Sequence, residues 1–421
     1  MASFFKFLLI FPLISHIHGA ISHKYPTLPK AAVLPLKKDL STLQYVTELL
    51  IGENLSPVKL VVDLGGPFVW IDSEFTSQLS STGSVKSCSL QCSMVEIKGC
   101  SRSGGLRCDA SKTCTLPVEN SVSRVSTSGE MKEGRVGVKF LDAMEPGSLA
   151  YIRRFLFSCA PNLLLEGLAS DAKGMLGLGN SRISLPSQFS TTFGFFHRKF
   201  SICLSPSNGA ILLGGSPSEI ENESTISMMY TSLISKNSNI QDGYYINVSS
   251  IKISGEKLSL YPIGFVGRTK ISTTTPYTTM ESKIYNTFIA AYIKAATSMN
   301  LSLVAPVAPF EICFSPNEVG SKTILPNFPA VDLVLQSELV KWRILGRNSM
   351  VRVSNEVMCL GFLNGGLVKP KDPIVMGGYQ LEDYTLEFNL ANSMLGFSSP
   401  LGMGKKKCSD FDASSMYPMV S

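Results

Sequence analysis

Histidine is scarce in this chain of 421 residues: there are four, and His16 and His18 fall within the first twenty positions. His23 and His197 remain, with no Gly-x-Ser-x-Gly elbow, so a Ser-His-Asp hydrolase has little footing. Close cysteine pairs are missing too. The gaps between Cys88, Cys92, Cys100, Cys108 and Cys114 are three, seven, seven and five residues, and without a C-x-x-C pair neither a metal nor any other cofactor is expected. There is no basic helix interleaved with stacking aromatics, which sets nucleic acid aside as a partner. Past the N-terminus no apolar run reaches the roughly 18 residues of a membrane span, so no membrane contact is expected of the mature chain.

What the chain does hold points outward from the cell. Lys6 precedes a short apolar run over residues 7–14, and residues 1–20 read as a secretory signal cut after Ala20, although His18 is bulky for that site. Ten cysteines fit an oxidising compartment, the other five being Cys159, Cys203, Cys313, Cys359 and Cys408. An even count is compatible with five bridges. Five cysteines crowd into 88–114, an odd number, so at least one is expected to reach outside that cluster. Sequons at Asn222, Asn247 and Asn300 suit a glycosylated surface. Removing the signal lowers the net charge from +6 to +5, a mild positive balance that favours an acidic wall polysaccharide.

Length and punctuation give the organisation. The chain is long enough for two cores, and the expected division is a lead-in over 21–43 lying on the surface, one lobe over 44–225, a second over 226–405 and a tail over 406–421. Short apolar strands broken by Gly, Pro, Ser and Asn dominate, at 136–140, 155–159, 200–204, 210–213, 244–248, 251–253, 330–335, 357–362, 374–376 and 385–389. The clearest helix is at 282–299, where Ile284, Phe288, Ala291 and Ala295 recur at helical spacing. A shorter one is expected at 185–189. Two glycine tags, Gly174-Met-Leu-Gly-Leu-Gly179 and Ile374-Val-Met-Gly-Gly378, form the nearest thing to an internal repeat. They are either ordinary strand ends or places where backbone approaches backbone beneath a site.

The chain is organised around Leu60-Val-Val-Asp-Leu-Gly-Gly-Pro-Phe-Val-Trp70. Two apolar strand segments flank Asp63 and a Gly pair, whose tight turn would hold the carboxylate against backbone amides. Alone, such an aspartate is usually a turn residue.

This stretch, together with Phe155-Leu-Phe-Ser-Cys-Ala-Pro161, Leu164-Leu-Glu-Gly-Leu-Ala-Ser170, Ser181-Arg-Ile-Ser-Leu-Pro-Ser-Gln188, Arg198-Lys-Phe-Ser-Ile-Cys203, Val331-Asp-Leu-Val-Leu-Gln336, Gly377-Gly-Tyr-Gln-Leu-Glu-Asp383 and Leu395-Gly-Phe-Ser-Ser399, resembles the pepsin-like aspartic proteinases. The resemblance is closest to a plant branch that includes extracellular dermal glycoproteins, basic 7S globulins and xylanase and xyloglucanase inhibitors. It implies a mostly β, bilobal pepsin-like fold with two β-rich lobes, a few short helices and one catalytic aspartate per lobe.

By that resemblance the second motif is Lys270-Ile-Ser-Thr-Thr-Thr-Pro-Tyr277, and Ser272 stands where the second catalytic aspartate would be. Two close carboxylates can share one proton and act as acid and base; a serine hydroxyl cannot replace one of them. Leu64 replaces the usual Thr or Ser, and no flap tyrosine is evident near Thr127-Ser-Gly-Glu-Met131. Asp72, close in sequence, has no reason to face Asp63. The branch also usually carries cysteines at position 73 and near Gly104-Gly105; both are missing here, and the resemblance implies that they are each other's partners. It further implies bridges Cys313–Cys359 and Cys203–Cys408.

The function that follows is a secreted, monomeric, catalytically impaired homologue that inhibits microbial cell-wall glycoside hydrolases. Relatives present basic side chains from second-lobe loops, and Lys322 and Lys371 fall nearest those positions; solvated surface lysines are the plainer reading. The alternatives are an atypical aspartic endopeptidase built on Asp63 and a peptide- or ligand-binding pseudo-enzyme.

Overall fold

The computed structural model describes residues 31–95, 111–141, 148–194, 197–215, 227–234, 243–260, 266–315, 327–366, 372–399 and Cys408. Its backbone is a long sheet shared by two lobes. From one end the strands run Met228–Ser232, Met394–Ser398, Thr385–Asn389, Lys199–Cys203, Asn208–Leu213, Ala31–Lys38, Tyr45–Ile51, Ser56–Asp63, Gly174–Gly177, Trp70–Asp72, Leu149–Ala160 and Ser126–Leu141. The lobes meet where Lys199–Cys203 pairs antiparallel with Thr385–Asn389, in the register Phe200↔Phe388 and Ile202↔Leu386. Phe200 and Phe388 stack with centroids 4.8 Å apart, and Tyr244 lies 4.5 Å from Phe388.

The apolar run before Asp63 is continuous because that strand is covered on both faces. Successive side chains of a strand point to opposite sides. Leu60 and Val62 therefore join the core that extends through both lobes, whereas Val61 faces a separate first-lobe cluster with Trp70, Leu116, Val118, Met131 and Met175. Burying each of these side chains is worth about 1.5–3 kcal/mol.

The strand expectations at 244–248, 374–376 and 385–389 match the observed Tyr244–Val248, Ile374–Met376 and Thr385–Asn389. The expected run at 357–362 is instead two strands, Met358–Leu360 and Phe362–Asn364, in different sheets. The long helix is Ser282–Ser298, buried through Ile284, Tyr285, Phe288, Tyr292 and Ala296. Ala291 and Ala295 only flank that face, because the row at four-residue spacing carries the larger aromatic rings. The shorter helix runs Leu185–Phe193.

The lead-in departs from expectation. Residues 31–38 form a strand paired with Asn208–Leu213, and Ala31, Ala32, Val33, Leu34 and Leu36 are buried. Its apolar run is broken by Pro35 and ends in two lysines; pairing on both sides decides its place.

The glycine tags lie beneath the site. Gly174–Gly177 runs parallel to Ser56–Asp63, and Ile374–Met376 runs parallel to Gly267–Ile271. A β-carbon on Gly177 would fall 2.1 Å from the Phe68 carbonyl oxygen, and one on Gly377 would fall 2.4 Å from the Tyr277 carbonyl carbon. Only glycine allows either approach.

Candidate functional site

Asp63 ends its strand opposite Gly177 and is 5% exposed. The Gly65 amide donates to its Oδ1 at 2.8 Å, and the Ser121 hydroxyl donates to its Oδ2 at 2.6 Å. The turn is tight for a steric reason. A β-carbon on Gly66 would lie 3.0 Å from both Asp63 Oδ2 and Gly177 Cα.

Ser272 holds the corresponding place in the second lobe. It follows the parallel pair Ile271↔Met376, its amide donates to the Met376 carbonyl at 3.0 Å, and it is also 5% exposed. Its Oγ accepts from the Thr274 and Thr275 amides at 3.3 Å each and lies 3.3 and 3.2 Å from the two threonine hydroxyls. The two amides would suit a carboxylate, yet the atom they meet is a hydroxyl.

Between them stands Thr273, which the sequence reading passed over. Its hydroxyl donates to the Val62 carbonyl at 2.7 Å and accepts from the Leu64 amide at 3.2 Å, tying the second lobe to the first. The tie has one arm. Leu64 carries no hydroxyl to return it, and its side chain is wholly buried in the shared core. The signal for Thr273 was present, since it follows Ser272 as Leu64 follows Asp63.

The hairpin of Thr115–Glu119 and Ser126–Leu141 leans over Asp63. Asn120 fixes its turn, donating to the Leu164 and Glu166 carbonyls at 2.8 and 2.9 Å and accepting from the Val122 amide at 2.8 Å. Ser121 thus approaches from this turn. Trp70 packs under the hairpin, and its buried Nε1 has no hydrogen-bond partner among the described residues.

Asp72 is used elsewhere, capping the helix Ser73–Gln78 by accepting from the Glu74 and Phe75 amides at 3.3 and 3.0 Å. His197 is exposed; His23, Asn222, Lys322 and Lys371 lie outside the described residues, as do Cys100, Cys108 and the Gly104-Gly105 region. Asn247 and Asn300 are both exposed.

Disulfides join Cys92 to Cys114, Cys203 to Cys408 and Cys313 to Cys359, and Cys88 is also bonded. Cys159 is not: it is a free, half-buried thiol, and burial raises its pKa. Five bridges therefore do not form. No described cysteine beyond the 88–114 cluster is left to receive a bond from it. Across the sheet Ile71 pairs with Cys159 and Asp72 with Ala160, so the thiol stands beside Ile71. The implied partnership of position 73 with the glycine-rich region falls outside the described residues.

Comparison with known proteins agrees with this architecture. Residues 45–215 match the family model described as xylanase inhibitor N-terminal, and residues 243–399 match xylanase inhibitor C-terminal. A protein called probable aspartic proteinase GIP2, from Nicotiana benthamiana, is 41% identical, with 92% of this chain and 93% of that protein covered. Gamma conglutin 1 from Prunus dulcis is 36% identical over 98% of each. The crystal structure of edgp superposes with a TM-score of 0.82 at 40% identity, covering 92% of this chain and 99% of that one. Basic 7S globulin from soybean gives a TM-score of 0.77 at 33% identity, covering 91% and 99%. With both halves of the sheet matched and the Asp63 and Ser272 turns facing each other through Thr273, the chain belongs to the xylanase-inhibitor family of pepsin-like, two-lobed proteins.

Proposed function

We propose that this chain is a secreted, disulfide-bonded inhibitor of microbial cell-wall glycoside hydrolases, on a pepsin-like frame that has lost its second catalytic carboxylate. The observation that carries the reading is Ser272, a hydroxyl enclosed by the Thr274 and Thr275 amides where an acid is required. Aspartic proteolysis needs two carboxyl groups sharing a proton, one to activate water and one to protonate the scissile carbonyl. Asp63 has no such partner among the described residues, and both its oxygens already accept hydrogen bonds. Asp72 is committed to a helix cap.

A retaining glycosidase presents two carboxylates about 5 Å apart in an open cleft. A cation offered from a loop makes a charge-assisted contact with such a pair and blocks substrate. Lys322 and Lys371 are the proposed cations. Support comes from the strands leading into their segments: Cys313–Ser315 and Phe362–Asn364 contribute Cys313 and Leu363 to one apolar cluster, so both segments start from the same side of the second lobe. Lysine presents a point charge and not the two-pronged guanidinium fork.

The test is a titration of a xyloglucan-specific endoglucanase, with a xylanase beside it, by the mature glycoprotein. Stoichiometric loss of hydrolase activity, weakened about tenfold by Lys322→Ala or Lys371→Ala as for one lost charge-assisted contact, is the expected result. Full activity at large excess of the protein sinks the reading for these targets. An endopeptidase, the activity in the name of the Nicotiana relative, would instead show pepstatin-sensitive cleavage at acid pH.

A further inference from the structure

The helix Ser282–Ser298 closes with the Asn300 amide donating to the Thr297 carbonyl, and Asn300 itself takes φ +60°. The chain then emerges through the short strand Ser302–Val304. Residues 303–309 read Leu-Val-Ala-Pro-Val-Ala-Pro, without one polar side-chain atom. Leu303 is 50% exposed, and Ala305, Pro306, Ala308 and Pro309 are exposed as well. Val304 and Val307 lean inward on Phe310, Cys313 and Cys359 but remain only half-buried. An apolar strip left in water in this way is surface that a cover would remove from solvent.

The cover is encoded next to it. Asn300-Leu301-Ser302 is a sequon whose two polar members are exposed while Leu301 is buried between them. The Asn300 carboxamide has no hydrogen-bond partner among the described residues, and the residue is exposed. Leu303 is only about 10 Å further along an extended chain, within reach of the first sugars of a glycan.

We propose that Asn300 carries an N-linked glycan whose core sugars lie over the apolar strip 303–309 and keep it from joining two copies of the chain. The oligosaccharide comes from a polyprenyl-diphosphate donor of the secretory pathway. The bond from its anomeric carbon to Asn300 Nδ2 forms as the anomeric carbon–oxygen bond to the diphosphate breaks. The amide gives up one proton, and polyprenyl diphosphate leaves. The sugar rings then place their C–H faces on the aliphatic side chains and their hydroxyls in water, removing apolar surface from solvent. Asn247 supplies the contrast: it is equally exposed, but it lies mid-strand opposite Arg268, with buried Ile246 and Val248 on either side.

The experiment uses the full chain from a secretory host. Mass spectrometry of the peptide containing Asn300 reads occupancy, and light scattering across a concentration series reads association. Expected are an occupied Asn300, a monomer, and an about twofold rise in apparent mass, the step to a dimer, after peptide N-glycosidase treatment of the folded protein or in Asn300→Gln. Leu303→Ser with Val307→Ser should return the glycan-free protein to monomer, and Asn247→Gln should stay monomeric throughout. An unmodified Asn300, a deglycosylated protein that remains monomeric, or association that survives the double serine change each overturns the proposal. Enzymatic deglycosylation acts on protein already folded, so failure of Asn300→Gln to fold does not block the reading.

Discussion

Lys38 of the first lobe and Glu382 of the second form a buried ion pair, Nζ to Oε1 at 2.6 Å, with side chains 8% and 4% exposed. Tyr45 donates to the same oxygen at 2.7 Å, and the rings of Tyr45 and Tyr379 lie 5.7 and 5.6 Å from the ammonium. Next to it the Asn348 carboxamide donates to the Glu382 carbonyl. The pair closes the lobes together on one side as Thr273 does at the site.

Burial pushes the Glu382 carboxyl above its ordinary range, with Lys38 and Tyr45 opposing and Asp383 adding to the shift. A carboxyl raised on folding favours the folded state when protonated. Its contribution is fully present below the unfolded value and is lost as pH rises through the folded one. Melting curves at about pH 5 and about pH 8 should therefore show a falling stability that Glu382→Gln flattens. Lys38→Met leaves the charge unpaired and should cost about 3–5 kcal/mol at neutral pH, less on acidification. A Lys38→Met loss that does not depend on pH would refute the assignment.

Ser272→Asp places a second carboxyl against two amide donors already in position. Two carboxylates across one cleft then titrate as a coupled pair. Pepstatin binding by the variant and none by the parent is the expected result, measured calorimetrically at about pH 4, between the two macroscopic steps of such a pair. Continued absence of binding would mean that Ser121, seated on Asp63, closes the groove as well.

Position 73 lies two residues beyond Ile71, the neighbour of Cys159 across the sheet, and Ser73→Cys should bridge to Cys159. The folded variant should then titrate one thiol fewer than the parent, and stability should rise by about 2–4 kcal/mol, reversed by reductant. One thiol more than in the parent would show that positions 73 and 159 do not meet.

Ser302→Ala, which leaves Asn300 in place but removes the sequon, should behave as Asn300→Gln does in the light-scattering series. Divergence between the two would assign the effect to the asparagine side chain and not to a glycan.

The sequence by itself determined the strands, the long helix, the turn at Asp63 and the hydroxyl at 272, because each is a local pattern: alternation, a four-residue row of apolar side chains, a Gly pair, a residue type. The departures were non-local. The strand Ala31–Lys38 looked like a surface lead-in because its reason for existing is Asn208–Leu213, far along the chain. Ser121 meets Asp63 across 58 positions, and Lys38 meets Glu382 across 344; neither meeting leaves a periodic trace. Cys159 could be counted but not paired, since a cysteine count carries no geometry. Sequence placed Asp63 and Ser272 in the site but not Ser121 or Thr273. Only the tertiary structure, by closing two lobes over one sheet, decided which of them touch.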